Sequence, residues 1–209
     1  MLLHILGQEY ENIDYLKPQD WFSVKQKRID DGEHFVNIPY LVDGDLVLTE
    51  SGAIPYYLCQ KFNKDLYGKT LLDTTRVIQI NGVINDLHKA IIDAIFFSKT
   101  PKEKAAEVIK EGGNAANLIA KIATFLGEKE FLLGYLTYAD LNLAYRILFC
   151  RSFILSLGLE DPFLRHPNLL PYAKRIYEHD TLNGYAESDS YRPCLKNDFV
   201  PYFKEHPLP

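Results

Sequence analysis

The residues best placed to do chemistry lie between Phe35 and Gly52, in the string FVNIPYLVDGDLVLTESG. Pro39 has no amide hydrogen and pushes the residue before it, Ile38, toward extended backbone, leaving that main chain free to pair outward. Thr49-Glu50-Ser51-Gly52 is a polar helix start whose unpaired first-turn amides favour an anion. A free backbone edge beside such a helix end is what a small fold uses to hold an extended peptide ligand. Other chemistries have no foothold. Gly68-Lys69-Thr70 ends like a phosphate loop, but the earlier glycine the loop requires is Asn63. His4, His34, His88, His166, His179 and His206 form no close pair of metal spacing, so no metal site is expected. No Gly-x-Ser-x-Gly elbow occurs, and Cys59, Cys150 and Cys194 lack the spacing of a redox or zinc motif.

The elements that must position these groups follow from pattern. Tyr40 to Val42 reads as a strand, Asp43-Gly44 as the mirror-image turn of a two-residue hairpin, and Asp45 to Leu48 as the returning strand. Ala53, Ile54, Tyr57, Leu58 and Phe62 then repeat at helical spacing. Ahead of the hairpin, Leu2 to Leu6, ended by Gly7, reads as the last turns of a helix. Glu9 to Leu16 reads as a strand, and Lys17 to His34 as a polar irregular stretch anchored by Trp21. Asn63 to Lys69 breaks both periods and places a boundary between units 1–67 and 68–209.

Beyond the boundary the pattern is helical. Val77, Ile80, Ile84, Leu87, Ile91 and Ile95 step by three and four along one stripe. Thr100-Pro101-Lys102-Glu103 predicts a capped helix start with a box bond from Glu103, running to Leu126, stopped by Gly127, and weakened or bent at Gly112-Gly113. Thr137 and Asp140 predict a second capping box, flanked by the staple pair Leu136 and Leu141. With 209 residues, 47% of them apolar, and a net charge of only −5, the chain can build a sizeable core but offers no basic footprint for nucleic acid. No run approaches a membrane span, and an odd, scattered set of cysteines suits a reduced cytoplasmic protein.

These residues together resemble the cytosolic glutathione transferases, most closely the mu class. The match rests on Asn37-Ile38-Pro39, the hairpin, Glu50-Ser51, the Thr137–Asp140 box and His166-Pro167-Asn168-Leu169, which resembles the start of a later helix of that family. The resemblance implies a thioredoxin-like N-terminal domain over 1–67 and an all-α C-terminal domain over 68–209. It implies that the backbone before a cis Pro39 pairs with the cysteinyl part of glutathione, and that Glu50 and Ser51 take the γ-glutamyl end. Trp21 and Lys25 resemble the pair that reaches the glycyl carboxylate, although Pro18 stands where mu enzymes often carry an arginine. Asp86 falls where a neighbouring subunit supplies a carboxylate, Phe35 resembles an aromatic key inserted into that partner, and Phe96 falls at the electrophile site. Without the family, Glu50-Ser51 is a helix cap, Trp21 a loop anchor beside a solvated lysine, Phe35 a hairpin staple and Asp86 a helix-face acid.

The family's first strand, with the tyrosine or serine that hydrogen-bonds the glutathione sulfur, is expected to lie before Met1. Tyr10 and Tyr15 are poor substitutes, so the catalytic residue stays unknown and conjugation by this chain is expected to be weak. The function the resemblance implies is glutathione conjugation to hydrophobic electrophiles by a cytoplasmic homodimer, with glutathione as co-substrate and no cofactor. A non-catalytic structural or regulatory homologue, or a glutathione-dependent isomerase such as a prostaglandin synthase, stands as the alternative.

Overall fold

The computed structural model describes residues 1–15, 17–185 and 188. The aromatic tail from Tyr191, with Phe199, Tyr202 and Phe203, lies outside them, as do Cys194 and His206.

The chain opens with a short helix, α1 (Leu2–Ile5), ended as expected ahead of Gly7. Residues 8–15 then run without a strand, against expectation. A strand-favouring stretch makes a strand only where a neighbour offers hydrogen bonds, and among the described residues the sheet is one two-stranded ribbon further along the chain. The stretch expected to be irregular is instead a helix, α2 (Pro18–Asp30). Pro18 sits at its first turn, Asp20 faces the amino end, and Lys27 and Arg28 face the carboxyl end. Gly32 closes it with φ +94°, and the Glu33 amide returns to the Arg28 carbonyl at 3.0 Å.

Two four-residue strands, β1 (Tyr40–Asp43) and β2 (Leu46–Thr49), form one antiparallel ribbon, with Tyr40 opposite Thr49 and Asp43 opposite Leu46. The connecting pair is therefore Gly44-Asp45, one residue later than the sequence suggests. Gly44 leads it with φ +60°, the conformation a glycine-first hairpin turn requires. Helix α3 (Ala53–Phe62) follows, burying Pro55, Leu58 and Cys59.

The elements that follow among the described residues are helices. In α4 (Leu71–Phe96), Thr70 Oγ1 accepts the Asp73 amide at 3.1 Å, and Val77, Ile80, Ile84, Leu87 and Ile91 form the buried stripe. Each such side chain contributes about 2 kcal/mol by leaving water. The helix expected over 101–126 is two, α5 (Pro101–Ile109) and α6 (Asn114–Leu126). Gly112 takes φ +78°, and a Cβ on Gly113 would run into the carbonyl oxygens of Val108 and Glu107, so the glycines break the helix rather than bend it. At the start of α5 the expected box is missing. The Thr100 amide donates to Ser98 Oγ at 3.1 Å, taking the bond that Glu103 was to accept.

Helix α7 (Tyr138–Ser156) carries the other box in full. Asp140 is fully buried and accepts from the Thr137 amide and hydroxyl at 2.8 and 2.6 Å, the Leu132 amide at 2.8 Å and the Tyr172 hydroxyl at 2.7 Å. Tyr172 belongs to α8 (Leu169–Tyr177), whose Asn168 cap donates to the carbonyls of Ala123 and Gly127 at 2.9 and 3.0 Å. One buried carboxylate thus ties α7 to α8, and one amide ties α8 to the end of α6. No helix among the described residues is long and apolar enough to cross a membrane.

Candidate functional site

Hairpin register decides where the candidate residues meet. Because Tyr40 faces Thr49, the residues just outside the ribbon, Ile38-Pro39 on one side and Glu50-Ser51 on the other, share its open end. The Gly44-Asp45 turn lies at the far end. The Ile38–Pro39 peptide is cis, and Asn37, Ile38, Pro39, Glu50 and Ser51 are all exposed.

Glu50 is the one non-glycine described residue with positive φ, at +74°. Such a conformation costs roughly 1–2 kcal/mol and persists where surrounding structure or function demands it. Here it turns the chain from β2 into α3. The Glu50 carbonyl accepts the amides of both Ala53 and Ile54 at 3.1 Å, so the Ser51 and Gly52 amides lie ahead of the first intrahelical bonds. The arrangement can hold an anion at Ser51, a cation at the Glu50 carboxylate, and an extended backbone along Ile38.

Trp21 and Lys25 stand four apart on α2, on one face. Trp21 is buried, stacks on Tyr40 at 6.2 Å and meets Tyr15 at 5.3 Å, which brings α2 beside Pro39. Lys25 is half-buried on the same face. Fasteners that sequence reasoning missed hold this junction. The Tyr15 and Tyr40 hydroxyls are 2.7 Å apart, Arg28 lies over the Tyr40 ring at 4.4 Å, and Arg28 Nη1 donates to Glu33 at 2.7 Å. Burial, then the Tyr40 contacts, push the Tyr15 phenol up to about 12. On the other side, Asp43 accepts from Lys61 and from the Tyr57 hydroxyl at 2.8 Å, linking ribbon to α3. Lys61 and Tyr57 hold the Asp43 carboxyl below its ordinary value of 3.8. Tyr57 belongs to the helical repeat read from the sequence, but its partner Asp43 is not visible there.

The remaining candidates lie elsewhere. Asp86 is on the exposed side of α4. Phe35 is 83% exposed. Phe96 ends α4 and meets Phe153 edge-on at 5.3 Å. Cys59 is fully buried on α3, and burial pushes its thiol up to about 12. Among the described residues no group of His, Cys, Asp or Glu could hold a metal ion.

A cis-proline hairpin leading into a helix start, followed by a helical unit, is the architecture that the resemblance in the sequence implies. The family model of the glutathione S-transferase N-terminal domain matches residues 1–60, and that of the C-terminal domain matches residues 85–189. The chain belongs to the glutathione S-transferase family, whose members use glutathione as co-substrate. Relatives named as mu-class enzymes are among those it matches. It is 27% identical to the class-mu 26 kDa isozyme 51 of Fasciola hepatica over 206 residues, covering 97% of this chain and 88% of that protein. Glutathione S-transferase B of Cavia porcellus is 30% identical over 86% of this chain and 76% of its own length. Human glutathione S-transferase Mu 3 is 29% identical over 85% and 73%. Among solved structures, the glutathione S-transferase Blo t 8 is similar with a TM-score of 0.74 at 24% identity, covering 97% of this chain and 91% of that one. A rat hPGDS complexed with a quinoline gives 0.72 at 24%, covering 89% and 87%. These structures share the fold.

Proposed function

We propose that this chain binds glutathione at the open end of the β1–β2 ribbon and conjugates it to hydrophobic electrophiles. The observation that supports this most is the meeting of the exposed Ile38-Pro39 edge with Glu50 and Ser51 at the start of α3. In this reading the Ile38 backbone pairs with the cysteinyl residue, with Asn37 and Pro39 shaping that edge. Ser51 and the first α3 amides take the γ-glutamyl carboxylate, and Glu50 takes its ammonium. Trp21 and Lys25 face the glycyl end. Residues 1–67 form the glutathione unit, 68–209 form the helical unit, and the electrophile lies near Phe96.

The reading extends to a two-fold homodimer. Phe35, 83% exposed, is then the key, and Leu71, Leu72 and Ile78, exposed by 84%, 66% and 55%, give α4 an apolar outer face to be covered. The partner's Asp86 would reach the ammonium. Replacing Phe35 with serine should shift the sedimentation coefficient from dimer to monomer; an unchanged dimer would remove Phe35 from the interface.

Calorimetric titration with glutathione tests the site. Ser51→Ala should weaken binding by about tenfold or more, as expected when one hydrogen bond to a charged group is lost. Affinity equal to wild type would reduce Glu50-Ser51 to a helix cap. A binding role without conjugation is the second reading, favoured because the Tyr15 hydroxyl is engaged by Tyr40 and Tyr15's pKa lies far from that of an activated phenol. Glutathione binding without turnover of an aryl halide would select it.

A further inference from the structure

Helix α2 has little apolar surface to dock with. Between Gln19 and Asp30 only Trp21 is buried, Val24, Lys25 and Arg28 are half-buried, and the rest is exposed. Trp21, Lys25 and Arg28 stand at i, i+4 and i+7, along one side of the helix. The Tyr40 ring stacks on Trp21 at 6.2 Å and lies 4.4 Å from the Arg28 guanidinium carbon. Two anchors, about 10 Å apart along the helix axis, therefore hold α2 to β1. Lys25 lies between them.

Arg28 does more than cover a ring. Its Nη1 donates to both carboxylate oxygens of Glu33, at 2.7 and 3.0 Å, and the Glu33 amide returns to the Arg28 carbonyl at 3.0 Å. Glu33 stands four residues before Asn37, and Tyr40 directly follows Pro39. One guanidinium thus ties both flanks of the Asn37-Ile38-Pro39 edge to the same helix. The pair is partly shielded, with side chains 20% and 34% exposed, so it is screened less than an open surface pair such as Lys27–Asp31. Lys25, by contrast, has no ion pair among the described residues and is free to meet an anion.

The edge has supports that do not involve Arg28. It runs straight into β1, which pairs along its length with β2, and Asp43 ties the ribbon to Tyr57 and Lys61 of α3. Without Arg28, α2 keeps Trp21 as its buried anchor near one end and turns about it. Lys25, one turn from that pivot, moves with the helix while Ile38 stays with the ribbon.

We propose that Arg28 is a positioning residue for the length of the peptide ligand. By pinning the second end of α2 to Glu33 and Tyr40, it sets the separation between the Ile38 edge and Lys25, and with it the hold on the third residue of the tripeptide. This rests on the glutathione reading of the site and assigns Arg28 a part in it without contact to the ligand.

Calorimetric titration of the full chain with glutathione and with γ-glutamylcysteine, which lacks the glycyl residue, tests this without turnover. Wild type should prefer glutathione by about tenfold or more, the scale of one hydrogen bond to a charged group. Arg28→Met should shrink that preference to about twofold or less and leave γ-glutamylcysteine within about twofold of wild type. Arg28→Lys keeps the charge but loses the planar stack on Tyr40, and should retain part of the preference. Because both residues act on one contact, Lys25→Met and Arg28→Met together should cost no more than either alone. An unchanged preference in Arg28→Met, or equal loss of both ligands, would overturn the proposal, the second by reducing Arg28 to general support of the fold. Equal affinity of wild type for the two peptides would also overturn it while leaving the glutathione site standing, whereas binding of neither would sink that reading and this one with it.

Discussion

Among the described residues ahead of α3, only Trp21 and Val36 are buried hydrophobic side chains, whereas from Cys59 onward buried side chains join into one core reaching Tyr185. The candidate site stands on the first region and takes little support from the second's packing. What holds the ribbon is a set of polar and aromatic fasteners: Tyr15 to Tyr40, Trp21 on Tyr40, Arg28 to Glu33, and Asp43 to Tyr57 and Lys61. Regions held this way open at lower free energy than a packed core does, and binding sites are commonly drawn from them. The contrast is therefore between a packed helical body and a more loosely fastened ribbon that carries the candidate site.

The single tryptophan lies on the ribbon side, so its emission and the helical ellipticity follow the two regions separately during urea unfolding. The sharpest blow to the helical body is Asp140→Ala. It strands the Thr137 amide and hydroxyl, the Leu132 amide and the Tyr172 hydroxyl in a buried place, and should cost on the order of 3–5 kcal/mol, read as an earlier ellipticity midpoint. A loss under about 1 kcal/mol would mean that the cap, and not the network, is what Asp140 provides. Tyr40→Phe removes the hydroxyl bond to Tyr15 and should cost about 1 kcal/mol. That loss should appear in Trp21 emission and leave the ellipticity midpoint nearly in place; equal movement of both would erase the distinction between regions.

Smallest is the acid response of the Asp43 fastener. Its folded pKa is depressed, so it stabilises above the ordinary value of 3.8 and loses that contribution as pH falls through the lower folded value. The emission midpoint of wild type should therefore drop further below pH 3.8 than that of Asp43→Asn. Parallel acid profiles would show that the ribbon does not depend on this carboxylate.

What was legible in the sequence was what local signals carry. Asn37-Ile38-Pro39, Glu50-Ser51, the α4 stripe and the Thr137–Asp140 box are complete within a few residues each, and each appears in the structure as a local element. Helix α2 was overlooked because its apolar side is thin: Phe22 and Ile29 are 62% and 45% exposed, leaving Trp21 as its buried hydrophobic contact. Its punctuation, Pro18 and Gly32, was there to be read. Residues 9–15 carry the strand-favouring Tyr10, Ile13 and Tyr15, yet such residues state a capacity for pairing and not the presence of a partner. At Gly112-Gly113 the propensity cost was counted, but the close approach to the Val108 and Glu107 carbonyls depends on packing that spacing does not encode. The ribbon's fasteners were hidden for the same reason. Asp43 and Lys61 meet only after the hairpin has formed and α3 has docked beside it.

Cys59 sits eight positions after Ser51, on the helix that begins at the candidate site. With its thiol pushed up to about 12, only roughly one molecule in a hundred thousand carries the thiolate there at neutral pH. A protein meant to steer electrophiles toward a bound ligand's sulfur would be consumed by any competing nucleophile of its own. In the proposed conjugation, Cys59 would offer no such competitor, since it lies buried in the core with its thiol pushed up.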